Sequence, residues 1–200
     1  NGMFAFVIFD PRINEVFCAR DPFGQKPFFY TYNKHRFIFS SELTSLLAHS
    51  DVLKELNLEA ISEYLLYESF VASQTPIKHI KKLPAGFALT YKRDHNNLQI
   101  WKYWHSSNNQ FSHSNNSPNN DDIEQLANVL RDSVSKHLRS DVPLGIYLSG
   151  GIDSSLMTLL ASDILGGENI HTFTIGNPEK SFDESDVARR TAEILGTNHH

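Results

Sequence analysis

Residues 148 to 156 read LSGGIDSSL, and this is the stretch whose residue types could do chemistry. Two adjacent glycines, Gly150 and Gly151, stand between an apolar run that ends at Leu148 and another that starts at Leu156. Such a strand–loop–helix junction leaves backbone N–H groups free at the helix start, which is an anion site. Glycines let the backbone approach a phosphate closely and take conformations closed to residues with a Cβ. Ser149, Ser154 and Ser155 offer hydroxyl donors, and Asp153 could hold the Mg²⁺ that accompanies a polyphosphate. The bland alternative is a tight turn whose serine only caps the helix, but a cap needs one hydroxyl rather than a cluster. Neither G-x-x-x-x-G-K-[ST] nor a G-x-G-x-x-G after the strand is present, so the loop is neither a Walker A loop nor a Rossmann fingerprint.

The elements that must position this loop come in two styles. From Met3 to Phe9 the chain is apolar without a break, which predicts a strand covered on both faces. EVFCAR, PFFYTY and RFIFS follow, separated by turn-rich segments, and predict an antiparallel meander. Ser40 and Ser41 offer a cap for a helix over ELTSLLAH. Asn57 caps a clearer helix with Leu58, Ile61, Leu65 and Leu66 on one stripe. Two more strands, around GFALTY and LQIWKYW, close this part. Residues 105–120 are Asn- and Ser-rich and predict a linker. Beyond it the period changes: a helix over DDIEQLANVLRDSVSKHL, a strand into Leu148, a helix from about Ser154 to Leu165, a strand IHTFTIG and a helix DESDVARRTAEILG. Strands alternating with helices predict a parallel α/β sheet. The fold class is therefore α+β followed by α/β, with domains at 1–104 and 121–200.

The net charge of −5 gives no electrostatic case for nucleic acid, and no apolar run reaches the roughly 20 residues of a membrane span. The single cysteine, Cys18, excludes an internal disulfide and fits a reducing cytoplasmic setting; a buried core thiol is its expected role. The chain starts without Met, on strand-like sequence, and reads as a piece of a longer protein.

The S-G-G-I-D-S-S loop between strand and helix resembles the pyrophosphate loop of N-type ATP pyrophosphatases. GMFAFVIFD, ARDPFGQKPFFY and FSSEL resemble the later strands of a class II glutamine amidotransferase domain. IKKLPAG, YW and SVSKHLRSDVPLGIYLSGGIDSS then follow in the order of glutamine-hydrolysing asparagine synthetases. The resemblance implies the end of an αββα (Ntn-type) sandwich, then the start of an ATP-pyrophosphatase domain. It implies ATP and Mg²⁺ as cofactors, and glutamine with aspartate or another carboxylate as substrates. A homodimer is compatible with it. By resemblance Ser149, Gly150, Gly151, Asp153 and Ser154 grip pyrophosphate, and Leu148 and Ile175 contact the adenosine part. Met3 matches a methionine lining the family's ammonia tunnel, with a plain core methionine as the alternative. The N-terminal cysteine nucleophile of such glutaminases and the S-G-E-G-x-D-E motif of their synthetase half are not among these 200 residues, so no catalytic residue is assigned.

Other polar residues read more plainly. Asn1-Gly2 lies in the wrong context for the family's oxyanion pair. Arg20 and Asp21 are expected to pair and brace the meander, and Glu42 to complement a helix dipole. Asp183, Glu184 and Asp186 open a helix in the same way, with a place facing the ATP cleft as the alternative. His199 and His200 have no ligand-spaced companions and receive no metal role. Among acceptors, aspartate is the default and a sugar acid of polysaccharide biosynthesis the alternative. A non-catalytic ATP-binding scaffold is the reading from another class.

Overall fold

A computed structural model of the chain describes residues 2–33, 36–93, 97–105 and 119–200, so the expected linker lies almost wholly outside the described residues. Two compact units emerge, residues 1–111 and 112–200.

In the first unit, β1 (Ala5–Asp10), β2 (Glu15–Arg20), β6 (Phe87–Lys92) and β7 (Asn97–Lys102) form one antiparallel sheet in the order β1-β2-β6-β7. The strands β3 (Phe29–Tyr32), β4 (Phe37–Ser40) and β5 (Lys81–Lys82) form a second sheet, ordered β4-β3-β5. The expected single meander is thus wrong: the chain leaves the first sheet after Arg20 and enters the second at Phe29. Strand periodicity marks each strand but does not say which neighbour it pairs with.

Alternation then explains the packing. Cys18, Leu89 and Tyr91 of the first sheet share a core with Phe28, Tyr30 and Leu83 from the second sheet and its approaches. On the opposite side of β3 and β4, Phe29 and Ile38 pack with Leu46 of α1 (Leu43–Ala48) and with Val52, Ile77 and Ile80. The outer face of the first sheet stays open, carrying a chain of aromatic contacts from Phe4 through Phe6 and Phe17 to Trp101. β1 is therefore covered on one face only, against expectation: Phe6 and Ile8 point to that open side while Val7 points to the core.

Helix starts are partly as expected. Asn57 caps α2 (Leu58–Tyr67) by accepting from the Ala60 N–H. The α1 cap position is instead Glu42, with no side-chain cap bond; Ser40 Oγ accepts from the Glu42 N–H just ahead of it. The α2 stripe also departs from expectation, since Leu58, Leu65 and Leu66 are exposed and the buried residue is Ala60.

In the second unit, α3 (Asn120–His137) begins with a capping box between Asn119 and Asp122, acids in its first turn and Lys136 and His137 in its last. The strands β8 (Gly145–Tyr147), β9 (His171–Phe173) and β10 (Asn198–His199) form a parallel sheet, ordered β10-β9-β8. α4 (Ile152–Leu165) follows β8, and α5 (Ser185–Leu195) precedes β10. Ala188 and Ala192, one turn apart on α5, are small enough for that helix to approach Leu148 closely, and the three form a buried cluster.

Candidate functional site

The loop after β8 is built by strand and helix together. Leu148 is buried, its N–H donating to the Phe173 carbonyl at 2.9 Å, so the strand end is fixed to β9. Thr174 adds a second tie, its hydroxyl donating to the Leu148 carbonyl. The chain then turns at Gly150, whose φ is +78°. A Cβ there would sit 2.9 Å from Val187 Cγ1 and 3.1 Å from the Ala188 nitrogen, so α5 presses directly on this residue. Gly150 is thus required twice, by conformation and by space. Gly151 differs. Its φ of −72° suits any residue, and a Cβ would meet only Ser149 Oγ at 3.4 Å. The fold does not demand a glycine there.

Gly151 is also the N-cap of α4, which starts at Ile152, two residues before the expected Ser154. It has no side chain to cap the helix, so the N–H groups of the first turn face outward without a side-chain acceptor. Ser149 and Ser154 hold the loop in shape. Their Oγ atoms lie 3.0 Å apart, Ser154 Oγ accepts from the Ser149 N–H at 3.2 Å and donates to the Gly151 carbonyl at 3.1 Å. Ser155 contributes its backbone N–H, which donates to the Gly151 carbonyl at 3.0 Å. Asp153, in the first turn of α4, has no side-chain partner among the described residues, which suits an oxygen ligand for a Mg²⁺–polyphosphate. Among the described residues there is no cluster of three or more His, Cys, Asp or Glu that could hold a metal by itself.

Beside the loop opens a cavity of about 230 Å³ lined by Leu148, Ser149, Ile175 and Thr174, with Tyr147, Phe173, Phe182 and Glu184. Three of the residues expected to act together, Leu148, Ser149 and Ile175, are brought to one concavity by the parallel pairing of β8 and β9. Ile175 is 84% exposed and Phe182 69%, apolar surfaces of the kind a purine face covers. Sequence reasoning missed Thr174, Tyr147, Phe173 and Phe182. The one available signal was the alternation in T-F-T-I-G, which sends Phe173 and Ile175 to one side of the strand and Thr174 to the other.

Three acids near this cavity separate by their partners. Asp183 Oδ1 accepts from the Asn177 and Ser185 N–H groups, and the bonds from Ser185 hold its carboxyl below the ordinary range. Asp186 pairs with Arg189 at 3.0 Å. Glu184 has no side-chain partner among the described residues and lines the cavity.

Elsewhere, Met3 precedes β1 and is 46% exposed, rather than a fully buried core methionine. His200 Nε2 lies 2.9 Å from His171 Nδ1, and His199 Nδ1 lies 3.1 Å from Thr172 Oγ1. Arg20 and Asp21 do not pair with each other as expected. Arg20 donates from Nε to the Lys26 carbonyl, from Nη1 to Leu83 and from Nη2 to Gly24, at 2.6–2.7 Å. Asp21 is fully buried and accepts from the Phe23, Gln25 and Lys26 N–H groups. Each residue braces the same turn through backbone, because backbone groups buried in a loop need partners more than the charges need one another. Cys18 is fully buried, and burial pushes its thiol up to about 12, so it is no nucleophile at neutral pH.

An antiparallel two-sheet unit followed by a parallel β–loop–α unit, with a glycine turn at a helix start that has no side-chain cap, defines a two-part protein. Residues 1–104 match the glutamine amidotransferase domain family, and residues 125–200 match asparagine synthase. The chain is 35% identical over 217 residues to the glutamine-hydrolyzing asparagine synthetase 3 of Bacillus subtilis, covering 100% of this chain and 34% of that relative. A putative glutamine-hydrolyzing asparagine synthetase 2 of Methanocaldococcus jannaschii is 33% identical over 202 residues, covering 100% and 38%. An amidase, chyE, of Penicillium rubens is 32% identical over 214 residues, covering 100% and 31%. The chain belongs to the glutamine-hydrolysing asparagine synthetase family. It spans about a third of the length of these relatives.

Proposed function

We propose that the full-length protein is an ATP-dependent, glutamine-hydrolysing carbon–nitrogen ligase that makes asparagine from aspartate, releasing AMP, pyrophosphate and glutamate. The observation that carries this is the loop of residues 148–154. Its helix N-terminus has no side-chain cap, and its shape is kept by Gly150 and by the Ser149–Ser154 contact. In this reading, residues 1–104 are the later part of the amidotransferase domain, 105–120 a linker and 121–200 the start of the synthetase domain. The open aromatic face of the first sheet is where an αββα sandwich has its second helical layer, and Met3 belongs to the ammonia path.

The chain's own residues do electrostatic work. Ser149, Gly150, Gly151 and Ser154 surround the pyrophosphate end of ATP and stabilise the charge that develops as pyrophosphate leaves. Leu148 and Ile175 hold the adenosine part. Asp153 would hold Mg²⁺, which supplies neutralisation of the phosphate oxygens when bound. Aspartate and glutamine are the small-molecule partners, and a homodimer is the assembly to look for by size-exclusion chromatography.

A second reading keeps the chemistry and changes the acceptor to a sugar acid or another carboxylate. One of the relatives is named an amidase rather than an asparagine synthetase, and it matches the whole chain as the synthetases do. One experiment separates the two: pyrophosphate release by the full-length protein with ATP, Mg²⁺ and ammonia, with and without aspartate. Release that depends on aspartate supports asparagine synthesis. ATP binding without aspartate-dependent release moves the search to other carboxylates. ATP binding with no release on any carboxylate leaves the non-catalytic ATP-binding scaffold. Gly151→Val should abolish ATP-dependent synthesis and leave glutamine hydrolysis measurable; synthesis at the normal rate would overturn the placement of pyrophosphate.

A further inference from the structure

We infer that Glu184 is the residue that recognises the ribose of the bound nucleotide, its carboxylate accepting hydrogen bonds from the vicinal 2′- and 3′-hydroxyls. The inference rests on the nucleotide reading of the cavity beside the loop and assigns a role within it.

Among the described residues lining that cavity, Glu184 is the only acidic one. Of the hydroxyls lining the cavity, those of Thr174 and Ser149 are already engaged, Thr174 with the Leu148 carbonyl and Ser149 with Ser154 and the Gly151 N–H. The neighbouring acids are engaged too, Asp183 with backbone N–H groups and Asp186 with Arg189. Of these three acids Glu184 is the one whose carboxylate has no partner among the described residues. Nor is its carboxylate needed to start α5. Glu184 is the N-cap of that helix but makes no side-chain cap bond, and its backbone carbonyl takes the Val187 and Ala188 N–H groups. Glu184 is exposed at the edge of a largely apolar concavity, and a carboxylate there that serves no contact of the fold among the described residues is available to a ligand with donors.

The nucleotide's donors are the ribose diol and the amino group of the base, since its phosphates only accept and would be repelled. Glu184 stands about one helical turn from Val187, the residue that packs against Gly150. It therefore lies beside the phosphate loop, and the sugar is the part of the nucleotide adjoining the phosphates. Two hydroxyls on adjacent carbons match the two oxygens of one carboxylate.

The test uses the full-length protein and its Glu184→Ala variant, with ATP and 2′,3′-dideoxyATP as probes in equilibrium binding. Charge-assisted hydrogen bonds of this kind predict that the variant binds ATP roughly tenfold to a hundredfold more weakly. Its affinity for 2′,3′-dideoxyATP should stay unchanged, so that the preference for the ribose diol disappears. An equal loss for both nucleotides would overturn the inference, because the carboxylate would then act on the fold or the base. So would an unchanged preference. If the unaltered protein binds neither nucleotide, the nucleotide reading itself fails and this inference falls with it, an outcome separable from the other two.

Discussion

Two glycine turns, one in each unit, use similar residues to opposite ends. The turn of residues 20–26 closes on itself. Gly24, at φ +65°, lies against Ala85 and the Arg20 guanidinium, which donates to three carbonyls, while Asp21 gathers the N–H groups of the same turn. The Asp21 backbone joins in, its carbonyl accepting from Gly24 and Gly86, and Tyr103 donates its hydroxyl to the Arg20 carbonyl. The turn of residues 148–155 is held just as firmly at Leu148 and Gly150, yet among the described residues it leaves the first turn of α4 without a side-chain cap and Asp153 without a partner. Polar groups consumed internally make a brace, and polar groups held in place but left unconsumed are what the proposed nucleotide site requires.

The comparison can be broken first at the brace. Arg20→Ala leaves the Lys26, Gly24 and Leu83 carbonyls without their donor, and should lower stability by about 3–5 kcal/mol in a denaturant titration. A loss near zero would mean that water replaces the guanidinium and the turn is not closed.

The next test contrasts the two glycines of the open turn. Gly150→Ala meets both the positive φ and Val187, and should cost about 2–3 kcal/mol. Gly151→Ala should cost only about 0.5–1 kcal/mol, the ordinary penalty for alanine at an N-cap, while weakening nucleotide binding. Equal destabilisation by the two would show that both glycines serve the fold and that the loop is a structural turn only.

Asp21 sharpens the comparison through pH. Burial pushes its carboxyl up, but the N–H groups of Lys26, Gln25, Phe23 and Phe4 outweigh that and hold it below the ordinary value. A folded value below the unfolded one, about 3.9, contributes stability that is present above pH ~4 and lost as pH falls through the folded value. Acid unfolding curves should therefore show a steeper decline below pH ~4 for the unaltered protein than for Asp21→Asn, with a difference of about 2 kcal/mol at neutral pH. Parallel curves would remove Asp21 from the brace.

Much of this was legible in residue order. Both styles of architecture, the cap at Asn57, the buried role of Cys18 and the glycine–serine turn between strand and helix follow from local rules of spacing, capping and glycine content. The split of the first unit into two sheets was not legible, because strands such as EVFCAR and PFFYTY carry the same alternation whichever neighbour they pair with. The pairing of Arg20 with Asp21 was misjudged for a related reason. Adjacent opposite charges suggest an ion pair, but the carbonyls and N–H groups of a buried turn are competing partners that only the folded chain brings near.

The sequence by itself determined that a strand would meet a helix through a glycine–serine turn, since that depends on contacts a few residues apart. The tertiary structure decided which glycine the fold requires and which it leaves open, because Val187 reaches Gly150 only when α5 packs on Leu148. It also decided which of three neighbouring acids faces the cavity. Asp183, Glu184 and Asp186 carry the same chemistry in the chain, and what distinguishes them is which backbone groups and cations the packing of α5 places beside each.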